Sequence, residues 1–171
     1  MSSYVFDQVK EFAIDGKLNF KNVSDGTYRI VLCNDEILDV SYSKKTLWSE
    51  ISNYEIQNVG YEHDKYPTSN PLTPGSSLLN VGIEPIEDDG VGGGDKDGRN
   101  DICVCADNVV YYESTIKADS AVILKRTTTA GEYELIAVLD VRKDDGTSSM
   151  SSNGVFRIRI DKDNNGFLVI K

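Results

Sequence analysis

Apolar positions along the chain follow two periods, and only the first segment carries the helical one. Val5, Phe6, Val9, Phe12 and Ala13 recur at the spacing of one helix face, and Asp15-Gly16 supplies a stop. The spacing predicts a short cover helix from Val5 to Ile14. Beyond it the texture turns to strands. Thr27-Tyr28-Arg29-Ile30-Val31-Leu32-Cys33 is β-branched and aromatic, bounded by Ser24-Asp25-Gly26 before and Asn34-Asp35 after, and its near-continuous apolarity predicts a strand buried on both faces.

Further strands are predicted at 54–59, 78–83, 102–112 with a break at Asp107-Asn108, 120–126, 132–141, 155–160 and 167–170. Alternation is clearest near the C-terminus. Tyr133, Leu135, Ala137, Leu139 and Val141 face one way, and Phe156, Ile158 and Ile160 lie opposite Arg157 and Arg159, so each strand has a core face and a wet face. Asp161-Lys162-Asp163-Asn164-Asn165-Gly166 reads as a tight hairpin between the last two strands, because Asn-Gly offers the positive φ such a turn needs. Closely spaced strands, turn-rich connections and a single helix predict an all-β fold. The expected architecture is an antiparallel β-sandwich, jelly-roll-like or a related Greek key, with one short N-terminal helix. A length of 171 residues predicts one domain over 1–171, with inserted loops at about 62–77 and 84–101 and a third long, Ser-rich connection at 143–153.

Charge narrows the partners. With 28 Asp plus Glu against 18 Lys plus Arg, the formal charge is -10, which repels phosphate backbones and anionic lipid heads. Nucleic acid and membrane surfaces are therefore not expected as partners. Much of the acid is local: Glu84, Glu87, Asp88, Asp89, Asp95, Asp97 and Asp101 all lie in the second inserted loop. The chain opens without a basic, apolar leader, and no run approaches the ~20 apolar residues of a membrane helix, so a soluble protein made in the cytoplasm is expected. Three cysteines, an odd number, then argue for reduced thiols. Cys103 and Cys105 share a strand face, but only Cys33 and His63 could complete a metal site, so small buried hydrophobes is the preferred reading.

The candidate chemistry is thin. His63, the single histidine, lies between Glu62 and Asp64 with no glycine-framed Ser or Cys nucleophile to serve, so no triad is expected. A carboxylate pair for glycoside hydrolysis has many possible members among the 28 acids, and nothing in the pattern selects one. Gly90-Val91-Gly92-Gly93-Gly94 runs into Asp95-Lys96-Asp97, whose carboxylates would repel a phosphate. Two segments have calcium-loop spacing. Asp95-Lys96-Asp97-Gly98-Arg99-Asn100-Asp101 sets oxygen ligands at alternating positions, although a solvated acidic loop is the preferred reading there. Asp161, Asp163, Asn165 and Gly166 match the first half of an EF-hand loop, yet strands flank them and its twelfth position falls past Lys171, which favours the hairpin. Trp48, Tyr54, Tyr61, Tyr66, Tyr111 and Tyr112 could supply a sugar-stacking row, with Tyr111 and Tyr112 on opposite faces of their strand. No catalytic, cofactor-binding or metal residues are assigned, and calcium at 95–101 is the one cofactor considered.

Several segments in order resemble a family of small structural proteins encoded in the virion-assembly regions of tailed bacteriophages. They are the helix with Asp15-Gly16-Lys17-Leu18-Asn19-Phe20, the strand Tyr28-Arg29-Ile30-Val31-Leu32, and Glu50-Ile51-Ser52-Asn53-Tyr54-Glu55-Ile56 with Gly60-Tyr61. The likeness continues through Ile116-Lys117-Ala118-Asp119-Ser120-Ala121-Val122-Ile123-Leu124-Lys125 and Glu134-Leu135-Ile136-Ala137-Val138-Leu139-Asp140. It closes on Ser152-Asn153-Gly154-Val155-Phe156-Arg157-Ile158 and Gly166-Phe167-Leu168. It covers almost the whole chain, and its specificity lies in the order and spacing of the segments. The chain departs from the pattern by inserting residues 62–77 and the acidic stretch 87–101. The resemblance implies a non-enzymatic virion component: a capsid decoration or cement protein or a head-fibre base bound to the major capsid protein, or else a tail or baseplate accessory. A homotrimer is expected by analogy, since lattice-decorating sandwiches often sit on three-fold positions. The competing class is a carbohydrate-binding β-sandwich.

Overall fold

The computed structural model describes residues 3–18, 20, 27–61, 77–79, 81–85, 102–160 and 168–170. Strand β1 (Tyr4–Val5) leads into helix α1 (Gln8–Ile14), and β2 (Tyr28–Cys33) is followed by four short 3₁₀ turns between Glu36 and Tyr54. Then come β3 (Ser77–Leu79), β4 (Val81–Pro85), β5 (Ile102–Ser114), β6 (Lys117–Ala118), β7 (Ser120–Arg126), β8 (Tyr133–Asp140), β9 (Ser149–Met150), β10 (Gly154–Ile160) and β11 (Leu168–Ile170). Among the described residues the chain is mostly β with one α-helix, as the alternation predicts, and every pairing between these strands is antiparallel.

One sheet has the order β1-β8-β7-β2-β3. A second is built around β5, and β6 with β9 makes a two-stranded sheet of its own. Ala106 is paired with both Val81 of β4 and Ile160 of β10, so those strands flank β5 on opposite edges. Val104 is paired with both Ile83 and Leu168, which sets β11 on the same edge as β10. One buried cluster joins Ile30, Leu32, Ile123 and Leu135 of the first sheet with Val104, Tyr111, Phe156 and Ile158 of the second. Each such side chain contributes about 1.5–3 kcal/mol when fully buried, so the two sheets hold each other through this shared core. Cover for the first sheet comes from Val9 and Phe12 of α1 and from Ile37, Leu38, Trp48 and Ile51 of the 3₁₀ turns. All six residues of β2 are accordingly buried.

Several elements differ from the sequence reading. The helix begins at Gln8, because Tyr4 and Val5 instead pair with Val138 and Ala137 on the edge of β8, and Phe6 N–H donates to the Ile136 carbonyl at 3.0 Å. Backbone hydrogen bonds to an open strand edge outweigh one more helical turn. Residues 54–59 make no strand; the chain crosses there from an isolated bridge at Cys33 and Glu55 to another at Val59 and Thr115, past the end of β5. The run expected as one strand at 78–83 is two: Leu79 pairs with Tyr28 in the first sheet and Val81 with Ala106 in the second. Strand β5 continues through Asp107-Asn108, where it carries an extra residue opposite Ile158 to Ile160, so the expected break is a bulge. In β8 the alternation is interrupted: Ile136 is an extra residue opposite Ile123 and Leu124, and Leu135 to Val138 are all buried. The Ser-rich connection after β8 contains β9, paired with β6.

The last two strands do not form a hairpin. Both run antiparallel to β5, so they share a direction, and from Ile160 to Leu168 the chain advances eight residues while β5 moves two, from Ala106 to Val104. A tight turn would have reversed the chain. Segments 62–76 and 86–101, bracketed by Tyr61, β3, β4 and β5, lie outside the described residues, as does 161–167.

Candidate interaction surface

Alternation in Val155-Phe156-Arg157-Ile158-Arg159-Ile160 sends Phe156, Ile158 and Ile160 into the core and leaves Arg157 and Arg159 exposed, as the pattern predicts. Strand β10 pairs with β5 along one edge, and among the described residues no strand pairs with its other edge. A groove of about 560 Å³ follows that edge, lined by Val155 through Arg159 on one side and by Asp140, Val141 and Ser149 on the other. Five consecutive residues, from both faces of the strand, line it. Only an edge presents both faces to one space.

The opposite wall is held by its own hydrogen bonds. Asp140 accepts from Arg142 Nε at 2.9 Å, from its Nη2 at 2.5 Å and from its backbone N–H at 3.1 Å, and these bonds keep the carboxyl below the usual carboxylate range. Lys143 N–H donates to the Thr147 carbonyl at 2.9 Å, and the Ser149 hydroxyl donates to the Val141 carbonyl. The acid in the groove is thus neutralised by its neighbour two residues on. Among the described residues no carboxylate forms an ion pair with Arg157 or Arg159.

At the start of β10 the surface becomes apolar. Tyr111 pairs with Phe156 and Ser114 with Gly154, so β5 carries an extra residue at Tyr112-Glu113, and Glu113 adopts φ 50° there. Tyr111 is fully buried whereas Tyr112 is 62% exposed and Val155 52%. Exposed Val59 is bridged to Thr115, just beyond β5, and exposed Met150 pairs with Lys117. Scattered surface hydrophobes are ordinary; these four are all carried by segments paired near the Ser114 end of β5, which makes that end a candidate contact surface.

Buried polar groups stiffen the scaffold behind this face. Tyr61 hydroxyl accepts from Leu32 N–H at 2.8 Å and donates to Glu55 Oε1 at 3.0 Å, and burial pushes the phenol well above its ordinary pKa. Its ring lies 5.6 Å from that of Tyr111, which lies 6.4 Å from that of Phe156, so aromatic packing runs from the crossing segment to β10. Ser114 and Ser151 hydroxyls are 2.9 Å apart, and Ile116 N–H donates to Ser151 Oγ at 3.1 Å, fixing the end of β5 to the residue after β9.

The residues singled out in the sequence are not gathered at this surface. His63, Tyr66, the candidate calcium loop 95–101 and Asp161, Asp163 and Asn165 lie outside the described residues. Trp48, Tyr61 and Tyr111 are core, Tyr54 packs against Tyr42 with hydroxyls 2.5 Å apart, and only Tyr112 of the described set is exposed, so these make no stacking row. Cys33 and Cys105 are buried, and burial pushes the Cys33 thiol up. Among the described residues no three His, Cys, Asp or Glu side chains cluster as a metal site, and no helix is long and apolar enough to cross a membrane. The groove itself was invisible in the sequence; the one legible signal was the Arg157 and Arg159 alternation, which reads as an ordinary wet face. Comparison of the chain with protein-family models, with curated proteins and with solved structures finds no match.

Proposed function

We propose that this chain is a non-enzymatic structural protein of a tailed-bacteriophage virion, a capsid decoration or cement protein or head-fibre base that binds the outer shell as a homotrimer. The observation that carries the reading is the candidate surface just described: Val59, Tyr112, Met150 and Val155 are each exposed on segments paired near the Ser114 end of β5, beside a β10 edge with which no described strand pairs. The ordered likeness to phage structural proteins along the chain supports the same reading, and the net charge of -10 favours the shell's exterior over a face turned to packaged DNA. We assign the fold to a two-sheet sandwich with jelly-roll-like winding. The pairs β5 with β10, β6 with β9 and β7 with β8 are nested one inside the next, as in a long antiparallel arm rolled on itself, which supports that winding.

Purified particles test the proposal. The protein is expected on intact virions at a simple ratio to the major shell protein. A handful of copies per particle would move it to the tail, and its absence from particles would overturn the reading.

A further inference from the structure

We infer that the outer edge of β10, with which no described strand pairs, accepts an extended acidic segment of a partner protein, which adds to the sheet as a further strand. An edge strand presents a row of backbone N–H and C=O groups able to pair with an incoming chain. Along β10 that row borders an open groove whose volume, about 560 Å³, falls within the ~300–1,000 Å³ of ligand clefts. Charge selects the occupant. Arg157 and Arg159 are exposed, alternate on one face, and make no ion pair to the described residues, while Asp140, which lines the same groove, is held by Arg142. Alternate residues of a strand lie roughly 6.5 Å apart, so carboxylates at every second position of an added strand come opposite both guanidinium groups. The intervening side chains of that strand fall on the other face, where Phe156 and Ile158 turn inward, and are therefore apolar.

The same arginines exclude the simplest alternative. A second copy pairing through its own β10 would bring arginine against arginine, a like-charge contact that guards natural edges. The occupant is a different chain surface, acidic and extended. The inference goes beyond the virion reading, since strand addition here needs only this edge and its charges, whatever the partner's origin.

The test is fluorescence anisotropy with the whole protein and a labelled seven-residue peptide of alternating Glu and Val at low ionic strength. Saturable binding is expected, weakening as salt rises because these charges are exposed. A Lys and Val peptide is expected not to bind. The double variant Arg157→Glu, Arg159→Glu, with both changes on exposed side chains, is expected to bind the acidic peptide at least tenfold more weakly at unchanged thermal stability. A peptide that keeps its carboxylates but is N-methylated at alternate amides tests main-chain pairing on the unaltered protein and is also expected to lose at least tenfold. No saturable binding by the acidic peptide, equal binding by the double variant, or equal binding of the N-methylated peptide would each overturn the inference. A protein found on particles that ignores the peptide loses this assignment and keeps the virion reading; one that binds the peptide but is absent from particles does the reverse.

Discussion

Replacing Gly60 by alanine probes the point where the chain crosses from one sheet to the other. Gly60 has φ +81°, and a Cβ there would meet Ser114 Cα at 2.6 Å, Ser114 Cβ at 2.9 Å and the Glu113 carbonyl oxygen at 3.0 Å. Two costs add. An L-residue held in the left-handed region loses roughly 1–2 kcal/mol. Forcing an extra methyl against packed atoms costs about 1–3 kcal/mol, and here the nearest atoms are backbone, which cannot swing aside as a side-chain end would. Gly60→Ala should therefore lose about 2–5 kcal/mol, and at about 2–4 °C per kcal/mol for a domain of this size its Tm should fall by roughly 4–20 °C. Gly146 is the matched control. Its φ is +79°, but nothing lies within 4 Å of an added Cβ, so Gly146→Ala bears only the conformational cost. Its Tm should fall by roughly 2–8 °C. Thermal melts by circular dichroism, with urea titrations at equal m-values, measure both. Equal losses in the two variants would show that Gly60 is kept for its φ alone and that the approach to Ser114 constrains nothing.

Two further changes test the buried and capped polar groups. Tyr61→Phe takes from the buried Leu32 N–H its acceptor and should cost about 1–3 kcal/mol, read as a lower urea midpoint; an unchanged midpoint would count against the bond as a stabilising contact. Glu50 accepts from the backbone N–H groups of Leu47 and Thr46, which pull its carboxyl down to about 2. A pKa lower in the folded than in the unfolded chain adds stability that is fully present above the ordinary carboxylate value and is lost as pH falls through about 2. The gap between the wild-type chain and Glu50→Gln in urea midpoint should thus be widest near neutral pH and close on acidification; a gap that widens in acid would refute the assignment.

How much could be read in advance depended on whether a residue's fate was local. Strand β7 appears at the bounds its pattern predicts, Ser120 to Arg126, because a continuous β-branched run between turn signals is a local statement. Tyr111 and Tyr112 part to opposite faces for the same reason. Val5 and Phe6 fit a helical spacing equally well, and only the open edge of β8 makes Tyr4 and Val5 a strand. The run around Asn80 has one uninterrupted apolar pattern, yet it serves two sheets, since nothing in a period of two records which sheet a strand joins. The Asn-Gly pair at 165–166 is compatible with a hairpin, while the common direction of β10 and β11 along β5 forbids one between them. Legibility of the candidate surface divides the same way. The exposure of Arg157 and Arg159 follows from alternation, but the groove depends on Asp140 from the end of β8, Val141 just after it and Ser149 of β9 arriving beside β10.

From the sequence alone came the β character of the chain, the single short helix, the fully buried β2 and the concentration of acid in the segment between β4 and β5. These follow from side-chain chemistry, since hydrophobic and charged groups sort themselves between core and water according to the period of the backbone that carries them. Tertiary structure alone determined that no described strand pairs with the outer edge of β10, that β4 and β11 flank β5 on opposite sides, and that Asp140 is held by Arg142. Strands pair through backbone N–H and C=O groups that nearly every residue carries alike, so the choice of neighbour is written in no single segment and emerges only when all of them share one core.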